Sequence, residues 1–319
     1  MRNLTMMTDL YQLTMMYGYY KNGMDKDEAV FDLFFRTCRP NSEYTVAAGL
    51  QTAIEYIQDL HFSEDDIAYL RSLNLFDEEF LGVLKGLRFT GDMYAVPEGT
   101  LVFPQEPLVR IKAPFMEAQL IETTLLNIIN HQTLIATKAS RVVYAADGGA
   151  VLEFGLRRAQ GPDAGTYGAR AAIIGGCDST SNVLAGQWYG VGVKGTHAHS
   201  WVMCFPDELT AFRAYADIFP DSCLLLVDTY DTLNSGVPNA IKVFDELKAK
   251  GYTPVGIRLD SGDLAYLSKK ARKMLDDAGW TECQISVSNS LDEYIIRDLL
   301  HQGAQIDSFG VGERLITAK

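Results

Sequence analysis

Leu224-Leu225-Leu226-Val227-Asp228-Thr229-Tyr230-Asp231 and Pro254-Val255-Gly256-Ile257-Arg258-Leu259-Asp260-Ser261-Gly262-Asp263 each run from a short apolar or β-branched stretch into a polar loop. The pattern recurs where Ile285-Ser286-Val287-Ser288 meets Asn289-Ser290, and where Ile306 to Phe309 meets Gly310-Val311-Gly312. Apolar runs this short predict buried strands, and the gaps between them carry helical periodicity. Asn239 to Lys250, Ala265 to Ala278 and Asp292 to Gln302 read as amphipathic helices. Repeated strand, polar loop and helix units build a parallel sheet, whose functional loops gather at the carboxyl ends of the strands. The polar loops are therefore expected to share one mouth.

Upstream, Gly195-Thr196-His197-Ala198-His199-Ser200-Trp201 places two of the five histidines after the apolar, strand-like run Val191 to Val193. Imidazole titrates near pH ~6.5, so at neutral pH it is mostly uncharged and able to attack or to move a proton. An isolated His-x-His is equally compatible with one satisfied core histidine and one exposed one. It also occurs in metal-dependent hydrolases, but those need further histidines on barrel strands, and His61, His131 and His301 lie in loop or helical contexts. Ala150 to Gly155 reads as another strand and Phe115 to Lys138 as a long amphipathic helix. Before that helix, Leu50 to Leu60 and Ser63 to Leu73 are helical, whereas Phe31 to Arg36 and Leu108 to Lys112 are strand-like. Pro97, Gly99, Pro104 and Pro107 punctuate the approach to a boundary near Pro114. The expectation is a smaller α+β domain over 1–114 and an α/β domain with barrel-like alternation over 115–319.

The chain has 319 residues, enough to bury on the order of 75% of its unfolded surface and to form two domains. It has 28 Lys plus Arg against 41 Asp plus Glu, a net charge of −13, which repels nucleic acid and anionic membranes. Any anionic substrate must therefore be held by a local cluster of arginines, amide groups or metal ions. No apolar run is long enough to span a membrane, and Met1-Arg2-Asn3-Leu4-Thr5-Met6-Met7-Thr8-Asp9 lacks the apolar segment of a signal peptide, so a cytoplasmic location is expected. Cys38, Cys177, Cys204, Cys223 and Cys283 form no Cys-x-x-Cys pair and read as reduced, mostly buried thiols.

Several segments together resemble the nicotinate phosphoribosyltransferase family. In chain order they are Thr8-Asp9-Leu10-Tyr11-Gln12-Leu13-Thr14-Met15, Glu122-Thr123-Thr124-Leu125-Leu126-Asn127, Ile135-Ala136-Thr137-Lys138, Glu153-Phe154-Gly155-Leu156-Arg157-Arg158-Ala159-Gln160-Gly161, Ser179 to Gly186, Gly195 to Ser200, Arg258 to Asp263 and Phe309 to Gly312. The resemblance implies an α/β fold, an irregular α/β barrel with a smaller N-terminal α+β domain, and a homodimer with active sites at the subunit interface. It implies that nicotinate and 5-phosphoribosyl pyrophosphate are joined to give nicotinate mononucleotide and pyrophosphate on the way to NAD. ATP is implied as a co-substrate hydrolysed with turnover, and Mg²⁺ accompanies the phosphates.

By the same resemblance, His199 is the histidine that ATP phosphorylates, Asp228 accepts its other ring N–H, and Ser200 lies beside them in the substrate site. Phe154 and Tyr11, the latter from the partner subunit, stack on the nicotinate ring. Arg157 meets its carboxylate, with Arg258 a second candidate. Nicotinamide-using relatives carry an aspartate at the position of Asn182; its absence favours the acid, because an aspartate would repel a carboxylate. Asp260 and Asp263 are candidates for the ribose hydroxyls and the cationic centre, Asn289 for ribose, and the amides around Gly310 and Gly312 for the 5′-phosphate. Arg36 and Arg39, followed by Pro40, together with Lys138 and Arg141, are either phosphate contacts or a solvated face. His197 is expected to have a supporting or surface role. Family members usually continue beyond Thr317-Ala318-Lys319, so a C-terminal segment completing the first domain is expected to be lacking, which leaves a non-catalytic binding protein as the rival to the enzyme.

Overall fold

The structure is a computed structural model and describes residues 3–38 and 42–319, so the expectation placed on Arg39 and Pro40 lies outside the described residues. The chain forms two compact units, 1–137 and 138–319.

In the first unit, strands β1 (Glu28–Leu33), β3 (Asp92–Ala95) and β5 (Val109–Pro114) form an antiparallel sheet in the order β1-β5-β3, and β2 (Thr45–Val46) pairs with β4 (Leu101–Val102). The alternation in Val109-Arg110-Ile111-Lys112-Ala113 buries every second side chain, as a strand with one wet face requires. Ser63 and Asp66 close a capping box at the start of the helix Glu64–Ser72, which accounts for its sharp beginning. The first family-like segment meets the second here, because Gln12 donates to Glu122 Oε2 at 2.9 Å and Thr123 to Asp9 Oδ2 at 2.8 Å. The expected long helix runs over Phe115–Ala145. Its Met116, Leu120, Ile121, Leu125 and Ile129 pack into the core of this first unit. The units consequently divide at Thr137 and Lys138, inside the helix, whereas the sequence placed the boundary at 114.

The second unit is built on a six-stranded parallel sheet of β6 (Ala150–Glu153), β7 (Ser179–Thr180), β8 (Leu224–Leu226), β9 (Gly256–Leu259), β10 (Gln284–Ser288) and β11 (Ser308–Val311). The order is β7-β6-β11-β10-β9-β8, so every strand pairs with its neighbour in sequence and β11 returns to β6. Read as a ring, the sheet is broken at one place, between β7 and β8. The buried runs of β8 to β11 are those of a sheet covered on both faces. The helices Val237–Ala249, Leu264–Asp277 and Glu293–His301 follow β8, β9 and β10 as expected. This is the irregular α/β barrel with a smaller N-terminal α+β unit. The expected strand at Val191 to Val193 is only an isolated bridge from Val193 to Thr180, because the chain turns away into the β7–β8 gap.

Candidate active site

The strands' carboxyl ends surround a cleft of about 350 Å³, in the range of small-molecule sites. Phe154 enters it after β6, Ser181 after β7, Arg258 and Asp260 from the end of β9, Ser288, Asn289 and Ser290 from the end of β10, and Gly310 and Gly312 from β11 and beyond. Arg157 and Arg158, exposed on the 3-10 turn Leu156–Arg158, and Glu313 complete the wall with Gly195 to Ala198. Three arginines face two carboxylates, a local positive site in a chain of net charge −13.

Backbone strain marks one side of this mouth. Asn289 and Ser290 sit in succession at φ of 90° and 52°, a conformation that non-glycine residues adopt at a cost of order 1–3 kcal/mol each and that clusters at ligand sites. Beside them Ser288 donates its hydroxyl to Asp260 Oδ1. At Gly310 the ring of Phe154 lies so close that a Cβ there would come within 2.5 Å of its Cδ2. Glycine is required for the ring to lie across β11.

His199 starts the short helix His199–Met203 at the rim of the cleft, next to the lining residue Ala198. Its Nε2 donates to Asp228 Oδ1 at 3.1 Å, and the Asp228 carboxylate is only 1% exposed against 37% for the histidine. The second oxygen of Asp228 accepts the Asp260 N–H at 2.7 Å and the Ser261 hydroxyl at 2.6 Å. A buried carboxylate saturated in this way holds one rotamer and one histidine tautomer. The lone pair of His199 is thereby left on Nδ1. His197 is buried rather than on the surface: its Nε2 accepts the Leu226 N–H at 3.3 Å, and its ring packs on Tyr215. Its Nε2 lone pair is thereby used inside the protein.

Arg258 is largely buried. Burial pulls its guanidinium down from its ordinary value against the opposing pull of Asp260 and Asp228; Nη1 donates to Thr196 Oγ1 at 2.7 Å while buried Nε has no acceptor. Arg157 stands exposed at the mouth.

Four expected substrate contacts have other work. Asn182 caps the helix Val183–Tyr189 by accepting the Ala185 N–H at 3.1 Å and donates to the Gly165 carbonyl, so it is not a wall of the cleft. Asp263 caps Leu264–Asp277 through the Tyr266 N–H at 2.9 Å and also stands outside the wall. Lys138 and Arg141 both grip the buried Glu293, at 2.5 and 2.8 Å. Freeing them for phosphate would strand that carboxylate, a loss of about 3–5 kcal/mol for a broken buried pair. Ser200 is exposed and outside the cleft lining. Arg36 is exposed and Tyr11 half exposed, both in the first unit, where the Tyr11 hydroxyl donates to Glu122 at 3.4 Å.

Sequence reasoning missed Arg158, Glu313, Ser288 and, beneath the cleft, Glu153. Burial raises the Glu153 carboxyl, which accepts from Thr180 Oγ1 at 2.6 Å and the Gly155 N–H at 2.5 Å and so fixes the turn that presents Phe154. A glutamate closing an apolar strand was the available signal.

Comparison with known proteins places both parts of the chain in one family. Residues 6–130 match the family model described as the nicotinate phosphoribosyltransferase N-terminal domain, and residues 150–318 match the nicotinate phosphoribosyltransferase family. A nicotinate phosphoribosyltransferase of Bacillus subtilis is 52% identical over 316 residues, which cover 99% of this chain and 64% of that protein. One from Mycobacterium tuberculosis is 47% identical, over 98% of this chain and 66% of its own length. The crystal structure of human nicotinic acid phosphoribosyltransferase superposes with a TM-score of 0.88 at 36% identity, covering 96% of this chain and 72% of that one. The chain thus spans about two thirds of the length of these curated relatives. Because the two family models follow one another along nearly all of it, the chain belongs to the nicotinate phosphoribosyltransferase family.

Proposed function

We propose that the chain is a nicotinate phosphoribosyltransferase, joining nicotinate to 5-phosphoribosyl pyrophosphate to give nicotinate mononucleotide and pyrophosphate for NAD biosynthesis. ATP hydrolysis is coupled to this through a phosphohistidine at His199. The observation that carries the proposal is the His199–Asp228 pair, with Nδ1 free, at the rim of an arginine-lined cleft.

Nicotinate lies against Phe154 with its carboxylate on Arg157, or on Arg258 deeper in. Its ring nitrogen attacks the anomeric carbon as the bond to pyrophosphate breaks. Positive charge develops on the sugar, and Asp260, oriented by Ser288, stabilises it; electrostatic stabilisation of this kind is commonly the largest contribution an active site makes. Asn289 meets the ribose, and the amides near Gly310 and Gly312 meet the 5′-phosphate. Separately, Nδ1 of His199 attacks the γ-phosphorus of ATP, ADP departs, and Asp228 holds the Nε2 proton while the ring becomes cationic; water then takes the phosphoryl group as the P–N bond breaks, releasing phosphate and a proton and returning the neutral ring. Mg²⁺ is normally held by one or two carboxylates plus substrate phosphates, and Asp260 and Glu313 are the carboxylates of the cleft wall that would hold it. When bound it neutralises phosphate charge. The same proposal includes a cytoplasmic homodimer in which Tyr11 of one subunit completes the ring stack of the other; all five cysteines are free thiols, as a reducing compartment requires.

The test incubates the purified chain with nicotinate, 5-phosphoribosyl pyrophosphate and Mg²⁺, with and without γ-labelled ATP, and measures its mass in solution. The expected result is mononucleotide formation stimulated by ATP, an acid-labile label absent from His199→Ala, and a dimer mass. Absence of mononucleotide under every condition overturns the activity, and label retained in the variant overturns the role of His199.

A further inference from the structure

The ring of strands is open only between β7 and β8, and an open strand edge leaves backbone donors to be satisfied. Along β8, the Val227 N–H donates to Arg258 on the β9 side, so by strand alternation the Leu226 N–H points to the gap. There His197 Nε2 receives it at 3.3 Å. Two residues further along both segments, His199 Nε2 meets Asp228 at 3.1 Å. The two contacts have the same offset of 29 residues, so 197–199 and 226–228 keep one parallel register, with imidazoles in place of backbone rungs. Val193 supplies the opposite anchor through its bridge to Thr180 of β7. The His197 ring is locked from behind by Tyr215 and Phe212, at centroid distances of 4.7 and 6.3 Å.

We propose that His197 is a positioning residue that closes the β7–β8 gap and sets the register in which His199 reaches Asp228. This rests on the assignment of His199 as the nucleophile. The Leu226 N–H dictates an acceptor at Nε2 and hence a proton on Nδ1 of His197, the opposite tautomer from that of His199. The requirement is an acceptor at this spot rather than an imidazole as such. Glutamine, whose carbonyl reaches as far, keeps the register; methionine, similar in bulk with no adequate acceptor, loses it.

The experiment records nitrogen-15 imidazole spectra of the full chain as parent, His197→Met and His197→Gln, beside nicotinate mononucleotide formation. In the parent and in His197→Gln, the His199 resonance carries the Nε2–H signature. In His197→Met it moves to the averaged tautomer pattern of a free histidine, and kcat falls by about 10²-fold, the cost of a misplacement near 1 Å, while KM for nicotinate stays within about twofold. An unchanged His199 signature in folded His197→Met overturns the proposal, as does its loss in folded His197→Gln. If His197→Met does not fold, the retained or lost signature in His197→Gln decides. Because the spectra need no turnover, a parent that makes no mononucleotide defeats the functional assignment and leaves the register measurement standing.

Discussion

Polar side chains at strand ends divide into two groups in this chain, and that division decides which arginines and carboxylates are free to meet a ligand. Asp228 and Asp260 stay with the sheet, Asp260 in the cleft wall and Asp228 buried behind it against His199, whereas Asn182, Asp263 and Asp292 turn back to cap the helices that follow. Each of the latter stands immediately before a helix start, so the capping pattern was readable in sequence; what was not readable is that capping takes the side chain out of the cleft. The Lys138–Glu293 pair spans 155 residues, and no local pattern announces it. Arg157 is the opposite case, an exposed cation on a turn fixed by family-like sequence and directed to the mouth. Arg157→Ala is expected to reduce kcat/KM for nicotinate by about 10- to 10²-fold, the equivalent of about 1.5–3 kcal/mol for a charged hydrogen bond, and to leave neutral nicotinamide much less affected. Equal losses for both substrates would move the carboxylate to Arg258.

Among the elements, the strands that were apolar and continuous were the easiest to foresee, because burial on both faces leaves no alternation to misread. The run at Val191 to Val193 looked the same and failed, since strand formation also needs a neighbour and only Thr180 offers one. The Phe154 ring seated over β11 is a product of two elements meeting. Gly310→Ala forces its Cβ to within 2.5 Å of that ring, where neither backbone can yield far. Such overpacking is expected to lower stability by about 1–3 kcal/mol and to raise KM for nicotinate several-fold, with KM for 5-phosphoribosyl pyrophosphate less changed. Steady-state kinetics with each substrate varied in turn, and urea unfolding, check both; an unaltered KM for nicotinate would remove Phe154 from the ring site.

For the whole molecule, acid sensitivity follows from the buried seam histidine. Burial above all, with the positive charge of Arg258, pulls the His197 imidazole down to about 4 against the raising effect of the Ala198 carbonyl beside its Nδ1. The unfolded chain binds that proton near pH ~6.5, so through the window between the two values only the unfolded state takes it up. Stability therefore rises with pH across the window and is lost as pH falls from about 6.5 toward 4, by on the order of 3 kcal/mol. Urea midpoints of the parent and His197→Gln at several pH values isolate this contribution, since the variant lacks the titrating group. The gap between the two should shift against the parent on acidification, and a gap constant with pH would contradict it. The seam also gives the molecule a timing mark of its own. Protected amides ordinarily exchange more slowly with deuterium as the solution is acidified, but the Leu226 amide loses its acceptor on the same acidification. Its exchange should level off or quicken where its neighbours slow, so that one labelled position reports how often the ring of strands parts before the rest of the chain unfolds.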